Sequence, residues 1–159
     1  MIETGVAHFI QGRVMILIAT RNAAHRPMIG RGTGAHFEAC SGEVSVLVSR
    51  SQWPEAVAWA QPGLPVSTTY VRPYDYHAYQ IKGVISAIRP ATATETAQGS
   101  RYVEAMLETL GALGVTRLQL SSTLSDRDLM RVSFQPRDLF EQTPGPNAGR
   151  RLVDTGAGT

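Results

Sequence analysis

Short apolar runs alternate with breaks bearing glycine, proline or asparagine along most of the chain. Residues 13–20 (RVMILIAT) are apolar and β-branched, and a run this short predicts a buried strand rather than a helix. Residues 22–27 (NAAHRP) read as a turn whose closing proline suits the first position of a second strand, residues 28–39. Ser41-Gly42-Glu43 predicts a tight turn into a third apolar strand, 44–49. Three strands joined so closely predict an antiparallel meander. Residues 52–61 predict a short helix with Pro54 in its first turn. Strands at 64–72 and 76–89 follow. Thr92 and Glu95 then have capping-box spacing, and the helix they open places Val103, Met106, Leu110 and Leu113 on one face as far as about residue 113. A sixth strand, 129–134, is closed by Pro136. The fold predicted is mainly β with inserted helices: a six-stranded antiparallel barrel, since closure removes exposed strand edges. Residues 1–142 form the one domain, and 143–159 a Gly/Pro-rich tail.

Composition narrows the class. In 159 residues, 43% are apolar and 18% charged, which excludes a disordered chain. Cys40 is the lone cysteine, which excludes a disulfide framework and a cysteine zinc site. No apolar run reaches membrane-spanning length and no signal-peptide pattern opens the chain, so the expectation is a cytoplasmic protein with no membrane contact. The formal net charge is +2, and Lys82 is the one lysine among fifteen basic side chains. The arginines are scattered rather than striped, which argues against a nucleic-acid partner. Arginine suits bidentate binding of phosphate or carboxylate, so the charge points to a small anionic ligand.

Three segments carry candidate chemistry. Gly30-Arg31-Gly32-Thr33-Gly34 spaces three glycines by two, which puts them on one face of a strand with Arg31 and Thr33 on the other. Either a flat ring, a helix or a partner chain lies against them, or they permit close packing and bulges within the barrel. The spacing is not the dinucleotide fingerprint. Ser49-Arg50-Ser51-Gln52 lies between a strand and a helix, where backbone N–H groups, hydroxyls and a guanidinium suit an anion; capping by Ser51 is the alternative. Tyr70, Tyr74, Tyr76 and Tyr79 with His77 fit a pocket, a dimer face or a half-exposed strand. His8, His25, His36 and His77 lack metal-ligand spacing, and no serine sits in a nucleophile elbow.

The order of these elements resembles the pyridoxamine 5'-phosphate oxidase-like family, the FMN-binding split barrels, over roughly residues 5–140. VMILIATRNAAHRPMIGRGTGAHF is similar to the family's opening hairpin. GEVSVLVSRSQ is similar to its third strand and phosphate-binding turn, and YHAYQIKGVISAI to its long glycine-bearing strand. The resemblance implies a homodimer with FMN between the subunits. Carried onto this chain, it implies cofactor contacts from Arg31, Gly32 and Thr33, and from Ser49, Arg50, Ser51 and Gln52. Where members carry a basic pair entering the helix, this chain has Trp53-Pro54-Glu55, with Arg50 slightly earlier. A flavin-dependent oxidoreductase acting on a small molecule is one expectation. A non-catalytic flavin or haem carrier is the other, with His36 or His77 as the available axial ligands. The tail, with Pro144 and Pro146 on either side of Gly145, is read either as a segment ordered over the dimer interface beside the cofactor, held by Arg150, or as low-complexity disorder.

Overall fold

The computed structural model describes residues 2–152. The elements run α1 (Thr4–Ile10), β1 (Met15–Arg21), β2 (Pro27–Glu38), β3 (Glu43–Ser49), α2 (Pro54–Ala58), β4 (Pro65–Val71), β5 (Ala78–Pro90), α3 (Ala93–Gly111), α4 (Arg117–Ser121) and β6 (Leu129–Glu141). The six strands close into an antiparallel barrel in the order β1-β2-β3-β6-β5-β4. Alternation sets the two faces. Ile16, Ile18, Val44, Val46, Val48, Ile81, Ile85 and Phe134 fill the interior, each almost fully buried. Val6 and Ile10 of α1, and Val57 of α2, join the same core.

The glycines of β2 are explained by this core. A Cβ on Gly32 would lie 2.7 Å from both Ile16 Cγ2 and Val46 Cγ1, and one on Gly30 would lie 3.2 Å from Trp53. Both therefore face inward and let their neighbours close up. The pairing with β3 then shifts between Gly32 and Ala35, and Gly34, at φ 128°, turns toward Tyr102 of α3. The three glycines thus form no common flat face.

Two long strands bend at irregularities. β6 continues through Pro136, which sits opposite Gly83 where the β5–β6 register slips. A proline costs little there, because β3 pairs only with the Leu129–Phe134 half and leaves the other edge free of ladder bonds. The start of the tail occupies that edge: Leu152 N–H donates to the Leu139 carbonyl at 2.8 Å, and Gly149 N–H to that of Glu141 at 2.7 Å.

The β5–β6 connection is a helical excursion. Its first helix starts with the Thr92/Glu95 capping box, and α4 starts with a second one, Thr116/Gln119, inside a stretch the sequence pattern leaves as a connection. Gly99 brings α3 down on the barrel, since a Cβ there would lie 2.6 Å from Leu129 Cδ1. Met106, Leu110, Leu120 and Leu124 make a small second core, with Met15 and Tyr102 packed against it. Among the described residues no helix is long and apolar enough to cross a membrane.

Candidate functional site

The register Gly32↔Val48 brings the glycine-rich stretch of β2 beside the Ser49–Gln52 turn, so the two segments singled out by sequence meet at one corner of the barrel. Their side chains differ in what they still have to offer. Thr33 is buried with its hydroxyl donating to the Leu47 carbonyl at 3.3 Å, and Gly32 faces the interior. Ser49 is buried; its hydroxyl donates to the Arg127 carbonyl at 2.8 Å and accepts the Gln52 N–H at 3.3 Å. Ser51 is exposed. Arg50 makes a bidentate pair with Asp128, at 2.9 and 3.2 Å, and this pairing raises its pKa. Gln52 donates to the Ser121 carbonyl at 3.2 Å.

Arg31 stands apart from these. Its partner position is Leu17, so it points out of the barrel, yet its Nε and Nη2 are buried and donate to no hydrogen-bond partner. Burial lowers its pKa, partly offset by neighbouring Tyr102. Tyr102 donates its own hydroxyl to the Val14 carbonyl at 2.6 Å, and burial pushes its pKa up. Gln52 Oε1 and Trp53 Nε1, at the same corner, are also buried without partners. A buried guanidinium with unmade bonds costs on the order of 1–3 kcal/mol or more, so each such group calls for an explanation. An anion laid against Arg31 supplies one.

On the far side of Tyr102 lies a half-open groove of about 660 Å³ between α3 and the outer faces of β2, β3 and β6. Its volume is that of a small-organic-molecule site. His36, Ser45, Gln98, Arg101 and Arg131 line it with Tyr102. Glu95 anchors its floor: it accepts from Arg89 and from Arg131 at 2.8–2.9 Å, and these bonds, Arg89's first, hold its pKa at about 2. Arg131 Nε has no partner. Sequence reasoning missed Arg101 and Arg131. One signal was present: Glu95, Gln98, Tyr102 and Ala105 recur at intervals of three and four, which is one face of a helix.

The tyrosines do not form a single pocket. Tyr70 is inside the barrel, Tyr74 and Tyr76 are exposed, and Tyr79 makes edge contacts with Phe9 and His77 at 4.9–5.0 Å. Of the two histidines considered as axial ligands, His36 lines the groove, whereas His77 is packed in this ring cluster with its Nδ1 against Thr143. Among the described residues, no three His, Cys, Asp or Glu side chains converge to hold a metal ion.

No protein-family model matches the sequence, and neither does any curated protein. Solved structures do match in shape. An F420 reductase superposes with a TM-score of 0.53 at 10% identity, covering 87% of this chain and 98% of the other. A Lactobacillus delbrueckii protein classed with the pyridoxamine 5'-phosphate oxidases gives 0.52 at 12%, covering 87% and 93%. HupZ of Group A Streptococcus gives 0.50 at 16%, covering 94% and 100%. The chain has the pyridoxamine 5'-phosphate oxidase-like split-barrel fold. Tyr102 neighbours the Arg31 guanidinium and also lines the α3 groove.

Proposed function

We propose that this split barrel binds FMN, with its phosphate on Arg31, and uses the α3 groove for a small-molecule substrate. The observation that carries the reading is the unpartnered, buried guanidinium of Arg31 on a fold whose neighbours include an F420 reductase and a pyridoxamine 5'-phosphate oxidase-type protein. A phosphate is one of the anions whose geometry matches a guanidinium fork, and FMN carries one. Of the other residues expected at the cofactor, Ser51 and Arg50 are exposed, Gly32 and Thr33 serve the barrel itself, and Ser49 and Gln52 are bonded to the segment at 121–127. FMN, when bound, supplies hydride and electron transfer; the chain supplies orientation and charge. Arg101 and Arg131 favour an anionic group on the substrate, and Tyr102 walls it off from the Arg31 corner.

The protein acts in this reading as a homodimer. The outer face of β2, β1, β4 and β5 carries the row Arg31–Leu17–Thr69–Gln80 and, beside it, Ile29–Ala19–Ser67–Lys82. Ile29 is 63% and Leu17 36% exposed, and Ser67 Oγ is unpartnered. A second copy laid on this face buries the two apolar side chains and borders the cofactor corner. A second reading, a flavin carrier without catalysis, is favoured by the groove's chemistry: the Tyr102 hydroxyl is committed to a carbonyl and Glu95 is held charged by arginines, so neither is free to move a proton.

The test is the absorbance spectrum of the purified protein with the mass of any chromophore released on denaturation. Flavin bands and the FMN mass are the expected result. A Soret band with the mass of haem would replace FMN by the haem reading.

A further inference from the structure

Every polar side chain of the Ser49–Gln52 turn that is committed to a tertiary bond is committed to one segment, residues 121–128. Ser49 Oγ donates to Arg127, Gln52 Nε2 to Ser121, and the Arg50 guanidinium to Asp128; Arg50 N–H also donates to the Asp128 carbonyl at 2.9 Å. Asp128 holds this position at φ 51°, a left-handed conformation that costs an ordinary residue some strain. At the same corner three N–H donors have no partner: Arg31 Nε, Arg31 Nη2 and Trp53 Nε1.

We propose that Ser121–Asp128 is a strap closed over the anion corner, with the Asp128 carboxylate standing on Arg50 where a ligand phosphate otherwise stands. This rests on the reading of Arg31 as a phosphate anchor. An incoming phosphate displaces Asp128 because it carries more charge and gains Arg31 as well as Arg50. No covalent step is involved; one acceptor replaces another.

The strap is built to open at low cost. The helix leading into it, α4, has five residues, and the second core beneath holds four fully packed side chains. Leu118 is 82% and Leu113 53% exposed, and of the strap's own side chains Leu124 alone is buried, so opening it uncovers one core leucine. Segments with few buried contacts open locally while the rest of a domain stays folded. Besides the turn, a bond from Ser100 Oγ to Asp126 at 2.9 Å ties the strap to α3.

The experiment uses Asp128→Asn, which keeps the shape and tolerates left-handed backbone, with Asp128→Gly as a second variant should the first fold poorly. Amide hydrogen exchange of the full-length protein is read across residues 121–128, and FMN and inorganic pyrophosphate are titrated into wild type and variant. The expected result is faster exchange confined to the strap and, for a strap closed roughly nine-tenths of the time, about tenfold tighter FMN binding by the variant. Unchanged strap exchange overturns the proposal, and so does an opened strap with equal or weaker FMN binding, which leaves the flavin reading standing. If FMN binds neither protein, the flavin reading fails alone: tighter pyrophosphate binding by the variant then supports the strap, and its absence overturns it.

Discussion

At the scale of single residues, Arg31 separates a functional from a structural role. A residue kept for stability is missed when it is removed; a buried cation without partners is not. Arg31→Met keeps the stem and deletes the unpaired charge. It is expected to leave the thermal midpoint of the ligand-free protein unchanged or raise it, by up to about 1–2 kcal/mol of stability, while weakening FMN binding. A clear fall in midpoint would assign Arg31 to the fold instead. The glycines make the complementary case. Gly32→Ala pushes a methyl against Ile16 and Val46 and is expected to cost about 1–3 kcal/mol in denaturant unfolding, whereas Gly5→Ala, in α1 with open space around it, is expected to be neutral or stabilising by up to about 1 kcal/mol. The sequence shows that three glycines share a spacing. It does not show that a register shift follows Gly32, so the choice between a flat ligand and close packing is decided by neighbours that lie far along the chain.

At the scale of elements, local signals were legible where they are strong. The β-branched runs of β1 and β3, the Pro54 helix start and the Thr92/Glu95 box all appear in the sequence and in the fold. The overrun of β6 past Pro136 does not, because a proline is tolerated there only through the missing β3 partner and the slip at Gly83. The α4 helix is five residues long, too short for periodicity to reveal, and is held by its packing on α3. The Glu95 network gives a pH prediction. Its pKa is lowered from 4.5 to about 2 by Arg89 first, and by backbone Thr92 and Arg131. A lowered folded-state value stabilises the fold above the unfolded value, and that contribution is lost as the pH falls from about 4.5 toward 2. Asp75, lowered from 3.8 to about 2 by Arg72, is solvent-screened and adds little between those values. Unfolding midpoints of wild type and Glu95→Gln should therefore lie furthest apart near neutral pH and converge in acid; a constant gap would contradict this assignment. The tail's contribution is separable. Ending the chain after Gln142 removes the bonds to Leu139 and Glu141 and should lower the melting temperature, whereas a chain ending at residue 152 keeps them.

At the scale of the whole molecule, barrel closure and strand number follow from patterning alone, while the site does not. Arg101 and Arg131 reach one groove from α3 and β6, and the unpartnered state of Arg31 shows only in the folded chain. The uncovered face with Ile29 and Leu17 predicts association. Sedimentation at micromolar concentration should show a dimer, and Ile29→Glu should shift it toward monomer; a monomeric wild type would remove the shared-face reading. The central claim is that the Arg31 corner holds the phosphate of FMN. It is tested most directly by titrating FMN into the ligand-free wild type and Arg31→Met and following flavin fluorescence. Saturable binding at one FMN per chain, weakened by about one to two decades in the variant, is the expected result, since a charge-assisted contact is worth roughly 1.5–3 kcal/mol. Superimposable curves, or no saturable binding by the wild type, would contradict it.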